Sequence, residues 1–151
     1  MKTTNDLASL YEIEYDQWLE QTIKLLKQNQ WEKLDKDNLI GELEELSRRE
    51  KKALERFLEQ IIRHLLLLQY WHQEYDYNAN HWQAEILSFR TQLNEDLTKN
   101  LHNHLQENQV VIYEKALKYV RQKTGYNIDF PEKCPYNLTQ LLDINWLPEN
   151  N

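Results

Sequence analysis

Proline is absent from residues 1–124, and that stretch holds a single glycine, Gly41. The other glycine is Gly125, and the three prolines are Pro131, Pro135 and Pro148. Proline and glycine are the residues that most strongly end helices and shape tight turns. A chain without them, rich in Leu, Glu, Gln and Lys and sparse in β-branched residues, favours long helices. The expected fold is all-α: an antiparallel helical bundle of about four main helices, one of them long and central. A short C-terminal helix and an irregular tail follow once the prolines begin.

Apolar residues recur every three or four positions, which places the helices. The first is expected over 5–27, with Leu7, Leu10, Tyr11, Trp18, Leu19, Leu25 and Leu26 on one stripe. A turn over 28–36 follows, anchored by Trp31 and Leu34. The second helix is expected over 37–71, its seam running through Leu39, Leu43, Leu46, Glu50, Ala53, Phe57, Ile61, His64, Leu68 and Trp71. Ile40, Leu54, Leu58, Ile62 and Leu65 widen the seam. Residues 57–71 are apolar nearly all round and should be the most buried part. The first half is amphipathic, with Glu44/Arg48 and Glu45/Arg49 spaced for i, i+4 pairs. A helix of that length is uncommon in globular proteins, which leaves room for a break near Ser47.

A turn over 73–79 should lead to a third helix capped by Asn80, with Gln83 at N3 and Trp82, Ile86, Phe89, Leu93 and Leu97 on one face. The fourth, from about 100, carries Leu101, Leu105, Val110, Tyr113, Ala116, Leu117 and Val120. It should end at Gly125, which suits a left-handed C′ position. In the tail, Asn137 can cap a short helix over 138–143, and Phe130, Trp146 and Leu147 should pin the segment down. Folding the second helix back on the third pairs positions summing to roughly 153, by hairpin counting. His64 then faces Phe89 and Arg90.

With 151 residues the chain has enough for one domain. The expected division is a bundle over 5–124 with the tail of 125–151 packed on it. Net charge is −7, spread as −4 over residues 1–75 and −3 over 76–151. A basic field, the usual mark of a nucleic-acid or anionic-membrane binder, is missing, so neither partner is expected. No apolar run approaches the ~20 residues of a membrane span. The first residues lack the apolar core of a signal peptide, and Cys134 is the lone cysteine. A cytoplasmic location is therefore expected.

Several short pieces recur in a known order. They are Leu10-Tyr11-Glu12 with Tyr15-Asp16 and Trp18; Leu34-Asp35 with Asn38-Leu39-Ile40; Glu42-Leu43-Glu44; and His64-Leu65-Leu66. Trp82, Arg90, Phe130-Pro131-Glu132, Cys134-Pro135, Leu141-Leu142-Asp143 and Leu147-Pro148 complete them. Together they resemble the family called domain of unknown function 29, small bacterial helical proteins. The resemblance implies an all-helical fold and a bacterial, intracellular origin, and it brings no activity with it. Gly41 stands where that family often has glutamate and His81 where it often has serine. An acidic pair at 41–42 is thus missing, which weakens any metal site built on it.

Scans for chemistry give few candidates. His64 interrupts a leucine-rich seam, where an imidazole needs hydrogen-bond partners and could serve as base or ligand. The bland alternative, a core histidine holding a helix junction, is the commoner case. Arg90 on the inward face of the third helix could grip an anion bidentately. More often such an arginine pairs with an internal carboxylate, because an unpaired buried charge is costly. Glu42 and Glu45, with Glu44, could be catalytic or ligating carboxylates, but a solvated face salt-bridged to Arg48 and Arg49 explains them too.

No Glu-x-x-His and no His-Glu-x-x-His occurs, and His102 and His104 sit two apart on different helix faces. Cys134 has no local base to activate it. The run Tyr70-Trp71-His72, Tyr75, Tyr77, His81-Trp82 is interleaved with Glu74 and Asp76 instead of lysines, which favours packing over base stacking. No histidine falls five to seven residues after any arginine, which disfavours one class of helical ribonuclease toxin. No phosphate-cradling glycine loop exists.

No cofactor and no metal is expected. The leading expectation is a non-enzymatic helical protein–protein interaction module, as a homo-oligomer or with an unknown protein partner. The alternative is an enzyme or small-ligand or anion binder using a pocket around His64 and Arg90, with Glu42 or Glu45 as the carboxylate.

Overall fold

The structure, a computed structural model, describes residues 4–149. Among the described residues every regular element is helical. The α-helices are α1 Thr4–Ile13, α2 Tyr15–Lys27, α3 Lys36–Tyr70, α4 Tyr75–Asp96, α5 Lys99–Lys123 and α6 Leu138–Leu142. The chain forms two compact units, Met1–Arg49 and Glu50–Asn151.

In unit 1, the expected single first helix is two helices, broken at Glu14, whose backbone leaves helical geometry at φ −131°, ψ 72°. No proline or glycine marks the break, so composition alone gave no sign of it. Trp18 is fully buried. Its indole N–H donates to Asp35 at 3.1 Å, and Asn38 donates to the same carboxylate oxygen at 2.7 Å. Asp35 is itself buried, so these donors replace the water it loses. Leu34 is buried as expected, but Trp31, the other expected anchor, lies half exposed in a 3-10 turn.

α3 is continuous, and no break occurs near Ser47. Of the two expected i, i+4 pairs, Glu45/Arg49 forms at 3.7 Å, while Arg48 turns to Glu45 at i, i+3, 2.7 Å away, instead of to Glu44.

Unit 2 holds the core predicted for residues 57–71. Leu58, Ile61, Ile62 and Leu65 to Leu68 are all buried, joined by Ile86 and Leu93 of α4 and Leu105, Ile112, Ala116 and Val120 of α5. α4 starts at Tyr75, earlier than the expected turn allows. The chain reverses through a 3-10 turn at His72–Glu74, and Asn80 lies within the helix instead of capping it. Asn78 donates to the Glu74 carbonyl and carboxylate, both at 3.2 Å, which supports this early first turn. The hairpin register is as counted: the His64 and Phe89 rings are 5.9 Å apart, and Trp71 stacks on Trp82 at 6.0 Å.

α5 is capped by Thr98, whose side chain accepts from the Leu101 N–H. It ends with Gly125 at φ +67° and a hydrogen bond from Tyr126 N–H to Arg121 C=O, the 6→1 closure that favours glycine there. Asn137 and Gln140 form a capping box on α6. Phe130 and Tyr136 are buried and Trp146 packs on the core, while Leu147 is exposed.

Candidate functional site

The local energetics of unit 1 leave one apolar face without cover. Tyr11 donates to one oxygen of Glu42 at 2.5 Å and Tyr15 to the other at 2.7 Å. Those two hydrogen bonds hold the Glu42 carboxyl below the ordinary carboxylate range. The Tyr11 hydroxyl, tied to that carboxylate, is pushed up to about 12. Tyr11, Tyr15 and Trp18 pack ring against ring at 5.0 to 5.9 Å. α1, α2 and the start of α3 are thereby latched together.

The latch uses one side of α2 and leaves another open. Leu19, Ile23 and Leu26 of α2 and Leu39, Leu43 and Leu46 of α3 line a groove of about 280 Å³. Ile23 is 49% exposed, Leu43 58% and Leu46 53%. Fully burying an exposed side chain of this kind is worth on the order of 1.5–3 kcal/mol, and covering one already half buried about half of that. Clustered exposure of this kind marks binding surfaces more often than isolated exposed leucines do. The sequence placed Leu19, Leu26, Leu43 and Leu46 on apolar stripes, which ordinarily pack against the rest of the chain. The structure corrects that: Leu43 and Leu46 are more than half exposed and Leu19 and Leu26 about a third.

The candidate residues do not converge. Glu42 is saturated by two tyrosines, and Glu45 is engaged by Arg48 and Arg49. Arg90 is 1% exposed and belongs to unit 2. Its guanidinium donates to three carbonyls at the end of the chain: Leu141 at 2.8 Å, Gln140 at 2.9 Å and Trp146 at 2.7 Å. The expected carboxylate partner is replaced by these carbonyls, with Asp143 contributing only through its charge. Burial lowers the Arg90 pKa to about 10, so it stays charged near neutrality. Asn94 adds a bond to the Leu142 carbonyl at 3.0 Å. The guanidinium is thus turned to the end of α6.

His64 lines a separate cleft of about 380 Å³ with Arg63, Trp71, His81, Tyr119 and Lys123. Arg90 is not among the residues around it, so the expected shared pocket of His64 and Arg90 does not form. The His64 Nδ1–H donates to the Gln60 carbonyl at 2.6 Å, which leaves Nε2 as the acceptor nitrogen. Burial lowers its pKa and keeps the ring neutral. Arg63 stacks 3.7 Å over the Tyr119 ring and pairs with Glu59. Its Nε is buried with no hydrogen-bond partner among the described residues.

Elsewhere, His104 pairs with Glu55 at 2.9 Å. The Cys134 thiol donates to the Tyr136 carbonyl at 3.3 Å, and burial pushes its pKa up, away from nucleophilic use. Among the described residues no group of three or more His, Cys, Asp or Glu is placed to hold a metal ion. No described helix is long and apolar enough to cross a membrane.

Sequence reasoning missed the tyrosine latch on Glu42. Its only signal was the i, i+4 spacing of Tyr11 and Tyr15, which the break at Glu14 places on two different helices. It also missed the buried Asp35, whose partners Trp18 and Asn38 come from two different segments.

The comparisons with known proteins add one finding. A family model described as "Domain of unknown function DUF29" matches residues 10–147. No curated protein and no solved structure matches the chain.

Proposed function

We propose, from the premise that this chain belongs to the DUF29 family, that it is a non-enzymatic helical interaction module whose docking surface is the α2–α3 face of unit 1. One observation carries this reading: Leu19, Ile23, Leu26, Leu43 and Leu46 stand at helical spacing, line a common groove, and are between a third and three-fifths exposed. The natural occupant is an amphipathic helix, because two parallel rows of apolar side chains accept a third row by ridge-into-groove packing. That helix belongs either to a second copy or to another protein. With one cysteine the chain contains no internal disulfide that would require an oxidising compartment, and the reading places the module in the bacterial cytoplasm.

The test is the variant Ile23→Glu/Leu43→Glu. Both positions are half exposed, so the fold should survive by circular dichroism. Wild type should associate, with itself by light scattering or with a partner in a pull-down, and the variant should lose that association. A wild type that stays strictly monomeric and captures nothing that depends on these two positions would sink the reading.

A further inference from the structure

We infer that the occupant of the unit 1 face is a second copy of this chain, related by a twofold axis with the two α2 helices antiparallel. This rests on the docking reading above and adds the identity and register of the partner.

The charge order along the helices carries it. α2 begins with Asp16 and Glu20 and ends with Lys24 and Lys27. After Lys36 at its first position, the part of α3 in unit 1 has the same polarity, with Asp37, Glu42, Glu44 and Glu45 preceding Arg48 and Arg49. At ~100° per residue, Asp16, Glu20 and Lys27 fall within ~40° of one another, beside the Ile23 edge of the apolar stripe. They therefore border the exposed face without interrupting it.

A twofold axis passing between residues 21 and 22 pairs positions whose numbers sum to roughly 42–44, by antiparallel helix counting. Leu19 then meets Ile23 of the partner subunit, and Ile23 meets the partner subunit's Leu19. Asp16 comes against the partner's Lys27, and Glu20 against the partner's Lys24. Each contact is made twice, as an isologous interface requires. A parallel arrangement would instead bring acid to acid and base to base. Antiparallel α2 helices also set the acidic first turn of one beside the basic last turn of the other, which suits both helix dipoles. A foreign helix would need a matched polarity of its own, whereas this chain already has it.

Two reciprocal variants test the register: Asp16→Lys/Glu20→Lys and Lys24→Glu/Lys27→Glu. All four side chains are exposed, so both variants should fold. Sedimentation equilibrium at low salt should show wild type as a dimer. Each variant alone should dimerise at least about tenfold more weakly, since facing charges become alike. An equimolar mixture of the two should restore dimer, because one α2 is then wholly basic and the other wholly acidic. A monomeric wild type overturns the inference, and so does a dimer that neither variant weakens. If wild type is monomeric yet the Ile23/Leu43 face still captures another protein, the docking reading stands and only the choice of partner fails. If nothing engages that face, both fail.

Discussion

The imidazole of His64 sits where protonation is opposed by burial, with its Nδ1 proton committed to the Gln60 carbonyl. Its pKa in the folded chain lies below the ordinary 6.5, so between the two values the unfolded chain binds more protons than the folded one. Stability therefore rises with pH across that window and is lost as pH falls below about 6.5. Thermal melts between about pH 7.5 and pH 5.5 should show a decline in wild type that is shallower in His64→Gln; equal slopes would contradict the assignment. Glu42 acts lower on the scale: its depressed pKa contributes stability above the ordinary carboxylate range that is lost on further acidification.

These residues differ in how much the sequence revealed. The meeting of His64 with Phe89 followed from hairpin counting, because a short connection fixes the register of two helices. The partners of Arg90 did not, because backbone carbonyls some fifty residues away leave no mark on residue type.

At the scale of elements, α6 shows how a five-residue helix persists. Such a helix is too short to stand on its own propensity. The capping box of Asn137 and Gln140 satisfies its first turn, Leu138 and Leu141 are buried, and Arg90 with Asn94 gathers the carbonyls of its last turn. Arg90→Met should cost about 2–4 kcal/mol in chemical denaturation, because it strands buried carbonyls. Amide exchange over residues 138–147 should speed up before the rest of unit 2 does. Arg90→Lys should recover only part of the loss, since one ammonium lacks the planar fork that spans three acceptors. A loss below about 0.5 kcal/mol, typical of neutral surface changes, would contradict this role.

The cap of α6 and the glycine stop at Gly125 were legible because their chemistry is local, whereas the Thr98 cap of α5 went unread. The break at Glu14 and the early start of α4 were not. The first carries no helix-breaking residue, and in the second Asn78 and the Tyr75 turn outcompeted the cap that Asn80 advertised.

At the scale of the whole molecule, one discrepancy matters most. In unit 2 the apolar period and the burial agree, and residues 58–68 form the core that their periodicity predicts. In unit 1 the same kind of period reports Leu19, Leu26, Leu43 and Leu46, yet these side chains, with Ile23 beside them, stay exposed. A hydrophobic repeat specifies a face; it is silent on whether the covering surface comes from the same chain. Disagreement between pattern and burial at a contiguous site is where binding is expected.

Carbene footprinting of Leu19, Ile23, Leu43 and Leu46 across a protein dilution series tests this most directly. These four side chains should be shielded when the protein is concentrated and become labelled on dilution, while Leu58 and Leu65 stay protected throughout. Equal labelling of the four at every concentration, in a protein that is still folded, would contradict self-association through this face.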